Sequence, residues 1–214
     1  MEYIQYGKTG LEVSRLGLGC MRFPENEHEA IQMVQYAIDN GVNYLDSAYV
    51  YKNSEVIMGK ALKDGYRDKI ILATKSPVWN ITKHEDFEKY LDEELQRLGT
   101  DHIDIYLLHN LYPENWEKIK KYDGLNFIDK MIKKGKILHK GFSIHSTLTA
   151  FKEIVDSFDW DMTQIQLNIL DEHHQVGVEG LKYAAQKGLA VNIMEPLRGG
   201  SLLNNAPMEV HDMI

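Results

Sequence analysis

Polar and ionisable side chains stand at the ends of successive apolar runs in this sequence. Asp46, Lys75 and His109 close three such runs, and Ser143 and His145 close the next one. The later runs add Gln166, Asn168 and Glu195. Burying a charge is costly unless it is paired, so this recurrence within a mostly apolar framework indicates a site. Ligand sites of parallel α/β folds lie at the carboxyl ends of the strands, which is where these groups fall.

Seven short apolar runs alternate with helical patterns and predict the strands that position these groups. Most runs show little polar alternation, as expected of parallel strands covered on both faces. The runs are Leu16–Cys20, Asn43–Asp46, Ile70–Lys75, Ile103–His109, Ile137–His145, Met162–Asn168 and Ala190–Glu195. Two shorter runs, Tyr3–Gly7 and Leu11–Ser14, flank a glycine turn and predict a β-hairpin outside the main sheet.

Amphipathic helices are predicted between the runs, each with its apolar residues on one face. They are His28–Asp39, Glu85–Leu98, Asn115–Lys134, Leu148–Phe158 and Val176–Gln186, with a further start near Ala206. Thr82 or Asp86 is expected to cap the second of them. The alternation of strands and helices predicts right-handed βαβ units and a parallel sheet.

Two architectures fit this alternation, a doubly wound open sheet and a (β/α)8 barrel. An open sheet would spread the polar strand ends along a line, whereas a barrel brings them into a ring, so the barrel is favoured. At the same spacing an eighth strand falls beyond residue 214. We therefore expect a single domain over residues 1–214: a TIM-type (β/α)8 barrel with an N-terminal hairpin and without its eighth strand. Its two open edges favour self-association.

Composition excludes several classes of protein. The sequence has 24 Lys+Arg against 32 Asp+Glu, and this net charge of −8 argues against a nucleic-acid partner. No apolar run approaches the ~18 residues of a membrane span, and no secretory signal opens the chain. The single cysteine, Cys20, excludes an internal disulfide and an iron–sulfur cluster within the chain. A reducing cytoplasm is the expected compartment.

The motifs around these residues resemble the aldo-keto reductases. Tyr51 follows Asp46 by five residues, Lys75 lies in IILATKS, and His109 lies in IDIYLLHN. The segments GLGCMR, GFSIH, QLNIL and MEPLRGG extend the resemblance in register over the whole chain. It implies a (β/α)8 barrel closed below by a hairpin, and NADPH-dependent reduction of aldehydes and ketones to alcohols. The bacterial branch that it resembles most often carries a C-terminal ferredoxin-like cysteine cluster, which these residues do not contain.

The resemblance implies a catalytic role for four residues. Tyr51 is the general acid, and a nearby Lys75 ammonium is expected to lower the tyrosine pKa from its ordinary value of about 10. Asp46 pairs with Lys75, and His109 hydrogen-bonds the substrate carbonyl. By residue type alone Tyr49 competes with Tyr51 for the acid role, and the family spacing selects Tyr51.

The resemblance also assigns residues to the cofactor, NADPH, and to the substrate. Ser143 and Gln166 bind the nicotinamide carboxamide with Asn168 close by, and Met194 contacts the ring face where many relatives have Tyr. The pyrophosphate loop comprises Pro196, Leu197, Arg198, Gly199 and Gly200, and Gly19, Met21 and Arg22 lie beneath the nicotinamide ribose. The substrate is a small carbonyl compound, and its walls are expected from Trp79, Tyr112 and Trp116.

Two other functions remain open from the residues alone. One is a non-catalytic barrel fragment, or a regulatory interaction module, with weak or no cofactor binding. The other is a metal-dependent hydrolase that uses His109, His145 and Asp46. The first run has no His-x-His pair, and the charge of Lys75 would oppose a cation, so no metal site is expected. The loop with Asp171, His173 and His174 is interpreted as solvated.

Overall fold

A computed structural model describes residues 1–204 of the chain, so the helix predicted near Ala206 lies outside the described residues. Strands β1 (Tyr3–Gln5) and β2 (Glu12–Ser14) form the predicted antiparallel hairpin, with Tyr3 opposite Ser14. The main sheet contains β3 (Leu18–Gly19), β4 (Tyr44–Asp46), β5 (Ile71–Ser76), β6 (Ile103–Leu108), β7 (Ile137–Ile144), β8 (Met162–Gln166) and β9 (Ala190–Met194).

The seven strands of the main sheet are all parallel and stand in sequence order, so each pairs with the next along the chain. They curl into a half-barrel with helices on its outside, which confirms the predicted TIM-type architecture and its hairpin. In the described part of the chain β3 and β9 are the sheet edges. Each strand lies within its predicted run, apart from one additional residue at the end of β5.

Eight helices connect and cover the strands of the described residues. They are α1 (Glu27–Asp39), α2 (Ser54–Ala61), α3 (Glu85–Leu98), α4 (Pro113–Lys121), α5 (Gly124–Lys133), α6 (Leu148–Ser157), α7 (Gly177–Gln186) and α8 (Ser201–Asn204). The N-cap of α3 is His84, which makes no side-chain cap bond, so the cap expected from Thr82 or Asp86 was wrong; Asp86 Oδ2 instead accepts bonds from the Thr82 amide and hydroxyl before the helix, at 2.8 and 2.7 Å. None of these helices has the length and apolar character that a bilayer crossing requires.

Two helix predictions were wrong. The single helix predicted over Asn115–Lys134 is broken into α4 and α5 at Asp123, whose φ is +61°. A Cβ on Gly124 would stand 2.8 Å from Phe87 Cζ, so this glycine lets α5 approach α3 closely. Helix α2 was missed because its buried face includes Ser54 and Glu55, which conceal the apolar period.

The sheet separates two cores. The larger one lies between the sheet and the helices, and the smaller one fills the inside of the half-barrel. Tyr6 from the hairpin belongs to the inner core, and its hydroxyl donates to Asn192 Oδ1 at 2.8 Å. Gly7 adopts φ +53°, and a Cβ there would stand 2.4 Å from the Ala190 amide. The hairpin therefore closes the amino ends of the strands, and the carboxyl ends remain open.

Candidate active site

The inward alternation of the strands places Asp46 and Lys75 at the open end of the inner core. Lys75 is 1% exposed, and its Nζ donates to Asp46 Oδ2 and to the Ser47 carbonyl, both at 2.6 Å. A buried ammonium is tolerated when it is paired and hydrogen-bonded, and both conditions hold here. The strand ends thus hold a charge pair in a fixed position.

Tyr51 reaches this pair from the loop between β4 and α2. Lys75 Nζ lies 5.2 Å from the centre of the Tyr51 ring, and the Tyr51 and His109 rings meet edge to face at 5.8 Å. Tyr49, the competing candidate, instead donates its hydroxyl to Glu93 Oε2 on α3 at 2.6 Å. Of the two tyrosines, it is Tyr51 that shares a site with Lys75 and His109.

The pKa of Tyr51 departs from the expected direction. Burial raises this pKa more than the Lys75 ammonium lowers it, and the Asp46 carboxylate raises it further. The expected lowering by Lys75 is present, but burial outweighs it, and the sequence does not reveal how deeply the ring is buried. The charge of Arg22 also lowers this pKa, though by less. The phenol is protonated at neutral pH, which is the form that a proton donor needs.

His109 is a neutral imidazole at the same end of the inner core. Burial, with contributions from the Lys75 and His145 charges, lowers its pKa from 6.5 to about 3. Its buried Nδ1 has no hydrogen-bond partner within residues 1–204. Its ring lies 5.1 Å from that of Trp79, which is exposed beside it. A neutral imidazole in this position can offer an N–H to a ligand oxygen without adding a charge.

The backbone is strained directly after both rings. Lys52 follows Tyr51 with φ +36°, and Asn110 follows His109 with φ +52°. Such conformations of non-glycine residues cost on the order of 1–3 kcal/mol and persist only where neighbours hold them. The Asn110 amide donates to Ser143 Oγ at 2.9 Å, which provides such a hold. Backbone strain of this kind clusters in loops that carry functional sites, and both of these loops lie at the candidate site.

A second group of polar side chains lines the rim around the ends of β7 and β8. Ser143 and Gln166 are buried there, and Gln166 Oε1 has no partner in the described chain. Gln166 Nε2 and Asn168 Nδ2 both donate to Asp171 Oδ2, at 3.2 and 2.7 Å. Asp171 was interpreted as a solvated loop residue, but it also faces Arg198 Nε at 3.4 Å. It therefore joins the β8 loop to the loop after β9.

The loop after β9 exposes its backbone. Arg198, Gly199 and Gly200 have φ of +48°, +66° and +93°, and Glu195 has φ of +58°. Among the described atoms, nothing lies within 4 Å of where a Cβ on either glycine would stand. Met194 is partly buried at the end of β9, and Pro196 and Leu197 are exposed. The Arg198 and Gly200 amides donate within the loop, to the Glu195 and Leu197 carbonyls, so it is the Arg198 charge that this stretch can present to an anion.

The remaining predicted residues lie in three different settings. Gly19 and Met21 are exposed at the end of β3, where Gly19 is in register with Asp46. Tyr112 is half-buried at the start of α4. Trp116 was expected as a substrate wall, but it is 3% exposed within the outer core. That expectation was wrong, because Trp116 lies on the buried face of α4 and the helix packs its indole into the outer core.

Gln164 is a site residue that the sequence reading missed. Its Nε2 lies 3.3 Å from Asp46 Oδ2, and its Oε1 has no partner among the described residues. The signal was present in the sequence, since strand alternation places Gln164 on the same face as Gln166. Within residues 1–204, no three His, Cys, Asp or Glu side chains are grouped so that they could hold a metal ion.

Comparisons with known proteins agree with this geometry. The sequence profile described as "Aldo/keto reductase family" matches residues 15–211. The chain is 30% identical to the glyoxal reductase of Bacillus subtilis (strain 168) over 92% of its length, and 29% identical to the uncharacterized oxidoreductase YrpG of the same organism over 94%. It covers 68% of each of these relatives.

A solved structure is similar over nearly the whole chain. The holo form of an aldo-keto reductase from Bacillus halodurans is 28% identical, with a TM-score of 0.83 over 97% of this chain and 70% of that one. The chain therefore spans about two thirds of the length of the relatives described here. By its profile match and its relatives, the chain belongs to the aldo/keto reductase family.

Proposed function

We propose that this chain is an NADPH-dependent oxidoreductase that reduces the carbonyl of a small aldehyde or ketone to an alcohol. The observation that carries the proposal is the meeting of the Tyr51 ring, the Lys75 ammonium and the neutral His109 imidazole at the open end of the half-barrel. Membership of the family and the relative named glyoxal reductase support the same class of reaction.

The residues around the rim fit a nicotinamide dinucleotide. The unpaired Gln166 Oε1 is a buried acceptor suited to a carboxamide N–H, and Ser143 lies on the neighbouring strand. Asn168 Nδ2 and Gln166 Nε2 both donate to Asp171, and this shared acceptor orients the Gln166 side chain. Met194 would contact the ring face, and Gly19, Met21 and Arg22 would lie along the ribose. The exposed stretch from Pro196 to Gly200, with the Arg198 charge, suits the pyrophosphate.

The reaction needs a hydride on the carbonyl carbon and a proton on its oxygen. A bound NADPH supplies the hydride. Tyr51 would donate its phenolic proton to the oxygen, and the adjacent Lys75 ammonium would stabilise the phenolate that remains. Asp46 fixes the ammonium by its 2.6 Å contact. Water from the open rim would then return a proton to Tyr51.

Substrate orientation would fall to His109 and its neighbours. A neutral His109 can donate an N–H to the carbonyl oxygen while that oxygen accepts the tyrosine proton. Trp79 adjoins the imidazole, and Tyr112 opens the next helix, so both can contact the remainder of the substrate. Their aromatic faces favour a small and partly apolar carbonyl compound.

The test begins with titration of NADPH and NADP⁺ into the folded chain, followed by cofactor fluorescence. A dissociation constant of about 1 μM to 1 mM is expected. A panel of aldehydes and ketones is then assayed with the parent chain and with Tyr51→Phe, which should bind the cofactor equally and lose about 10²–10⁴-fold in turnover. Tyr66→Phe is the matched control, because that phenol pairs with Asp39 at the surface.

Two results would overturn the proposal. One is a folded chain that binds neither nucleotide at millimolar concentration, which would favour the non-catalytic fragment or the regulatory interaction module. The other is a Tyr51→Phe variant as active as Tyr66→Phe, which would remove the phenol from the chemistry.

A further inference from the structure

A polar cluster lies on the outer face of the sheet, behind the candidate site. We call Arg97, Glu55 and Tyr49 the Arg97 clamp. Arg97 Nη1, from α3, donates to the Tyr49 carbonyl and to Glu55 Oε2, each at 3.2 Å. The two acceptors lie two residues before and four residues after Tyr51. A single guanidinium therefore holds both sides of the segment that carries the proposed acid.

Glu55 connects the same segment to the strand of the proposed ammonium. It is 2% exposed, and its Oε1 accepts a bond from Thr74 Oγ1 at 2.7 Å. Thr74 precedes Lys75 in β5 but faces the opposite side of the sheet. The Glu55 carboxylate thus sets the position of α2, and of the loop before it, relative to the strand that carries Lys75.

The clamp itself is held in place by its surroundings. Arg97 Cζ stacks 4.0 Å from the centre of the Tyr49 ring. The Tyr49 hydroxyl donates to Glu93 Oε2. A Cβ on Gly59 of α2 would stand 2.3 Å from the Arg97 carbonyl, so α2 and α3 approach as closely as a glycine permits. The backbone of α3 at Arg97 has little room to shift without displacing α2.

The loop has few other anchors at this point. Its backbone ladder to β5 ends where the Tyr49 amide donates to the Lys75 carbonyl at 3.3 Å. The next backbone bonds are local, from Tyr51 N to Ala48 O and from Ser54 N to Tyr51 O. Local bonds fix the shape of the turn but leave its distance from the sheet free. Two side-chain contacts then tie the segment back to the sheet: Ser54 Oγ lies 2.7 Å from the hydroxyl of Ser47, the residue after β4, and Glu55 contacts Thr74.

We propose that Arg97 and Glu55 are positioning residues that hold Tyr51 at its distance from Lys75 and His109. The inference rests on the proposed function in so far as it concerns turnover. A misplacement of about 1 Å can cost on the order of 10²-fold in rate. Arg97→Met removes both hydrogen bonds of Nη1, and Arg97→Lys retains the charge but loses the planar guanidinium that stacks on the Tyr49 ring.

The kinetic test compares these variants at saturating cofactor and carbonyl substrate. Arg97→Met should lower kcat about 10–100-fold with the NADPH dissociation constant within about twofold, and Arg97→Lys should fall between Arg97→Met and the parent. Most of the loss should vanish when Tyr51 is already Phe, because the two changes act on one group. Arg67→Met is the control, since Arg67 is also partly buried and pairs with Asp104 at 2.8 Å, near the amino ends of β5 and β6.

A second readout needs neither cofactor nor turnover. With 3-fluorotyrosine placed at position 51, the ¹⁹F resonance of the ligand-free chain should shift or broaden in Arg97→Met and stay unchanged in Arg67→Met. Failure of the proposed function would leave this result intact. The inference is overturned by an unchanged resonance in Arg97→Met, or by kinetic losses that add fully to Tyr51→Phe. If Arg97→Met does not fold, Glu55→Gln takes its place with the same expectations, because it keeps an acceptor for Thr74 and loses the pairing with Arg97.

Discussion

The two ends of the half-barrel interior are built differently. At the closed end, the Tyr6 hydroxyl donates to Asn192 Oδ1 and lies 3.4 Å from the Tyr44 hydroxyl. At the open end, several buried polar atoms have no partner among the described residues, namely Asp46 Oδ1, His109 Nδ1, Gln164 Oε1 and Gln166 Oε1. An unsatisfied buried group costs about 1–3 kcal/mol. The hydroxyl groups at the closed end find partners within the protein. The unpartnered atoms at the open end are suited to bonds with a ligand.

The tyrosines of the two ends show the same contrast. Burial raises the pKa of Tyr6, and the neighbouring Tyr44 raises it further. Burial also raises the pKa of Tyr44, and the Asp46 carboxylate adds to that rise. Burial also raises the pKa of Tyr51, but there the Lys75 ammonium opposes it. The nearby cation therefore distinguishes Tyr51, the proposed proton donor, from the two phenols of the closed end. Four substitutions test the contrast.

Lys75→Met should have the largest effect, and it acts at the open end. Removing the ammonium leaves only the weaker effect of Arg22 to oppose burial and Asp46, which raise the pKa of Tyr51, so the phenol gives up its proton less readily. The proposed carbonyl reduction should slow by about 10²–10⁴-fold, measured as kcat over a range of pH. Lys60→Met, at a surface pair with Glu27, is the control. A loss of less than threefold would remove Lys75 from the chemistry.

Asp46→Asn should lower stability rather than only activity. It leaves the buried Lys75 ammonium with the Ser47 carbonyl but without its counter-charge. The free energy of unfolding should fall by about 3–5 kcal/mol in urea denaturation. An unchanged midpoint would mean that the pair adds nothing to the fold.

Tyr6→Phe tests the closed end. It removes the hydroxyl that donates to Asn192, so the free energy of unfolding should fall by about 1–3 kcal/mol. Cofactor binding and turnover of the folded protein should not change. A selective loss of turnover at unchanged stability would contradict the division between the two ends.

His109→Gln should change how stability depends on pH. The folded pKa of His109 is about 3 and its ordinary value is 6.5. Between these values the unfolded chain binds the extra proton, so this group makes the free energy of unfolding rise with pH, by at most about 1.4 kcal/mol per unit. Urea denaturation from pH 4 to 7 should give a shallower slope for the variant. Equal slopes would show that the imidazole is not held neutral by the fold.

The sequence predicted the positions of the site better than its electrostatics. Asp46, Lys75 and His109 were found because apolar strands end in them, and that pattern is local. The lowering of the Tyr51 pKa by Lys75 was predicted, but the larger effect of burial was not, because burial depends on how the loop after β4 packs. Gln164 was overlooked although strand alternation pairs it with Gln166.

The errors in the helices have a common cause. Ser54 and Glu55 are polar residues on the buried face of α2, and Glu55 belongs to the Arg97 clamp. The helix therefore lacks a regular apolar period. The break between α4 and α5 depends on Asp123 and on a glycine that contacts Phe87. In both places a tertiary contact outweighs the local sequence pattern. Such a contact joins distant parts of the chain, so no single stretch of sequence reveals it.

The hairpin joins the two ends of the described chain. Tyr6 bonds to Asn192, the Lys8 amide donates to the Gly188 carbonyl, and Gly7 fits against Ala190. The main sheet adds one strand after another in sequence order, so most of it can assemble from neighbouring units. The hairpin contacts can form only after β9 has been made, because the loop that they close spans nearly the whole described chain. The hairpin also bonds to Asn43 before β4, so folding during synthesis would leave only the β9 side of the lower end uncovered until β9 emerges.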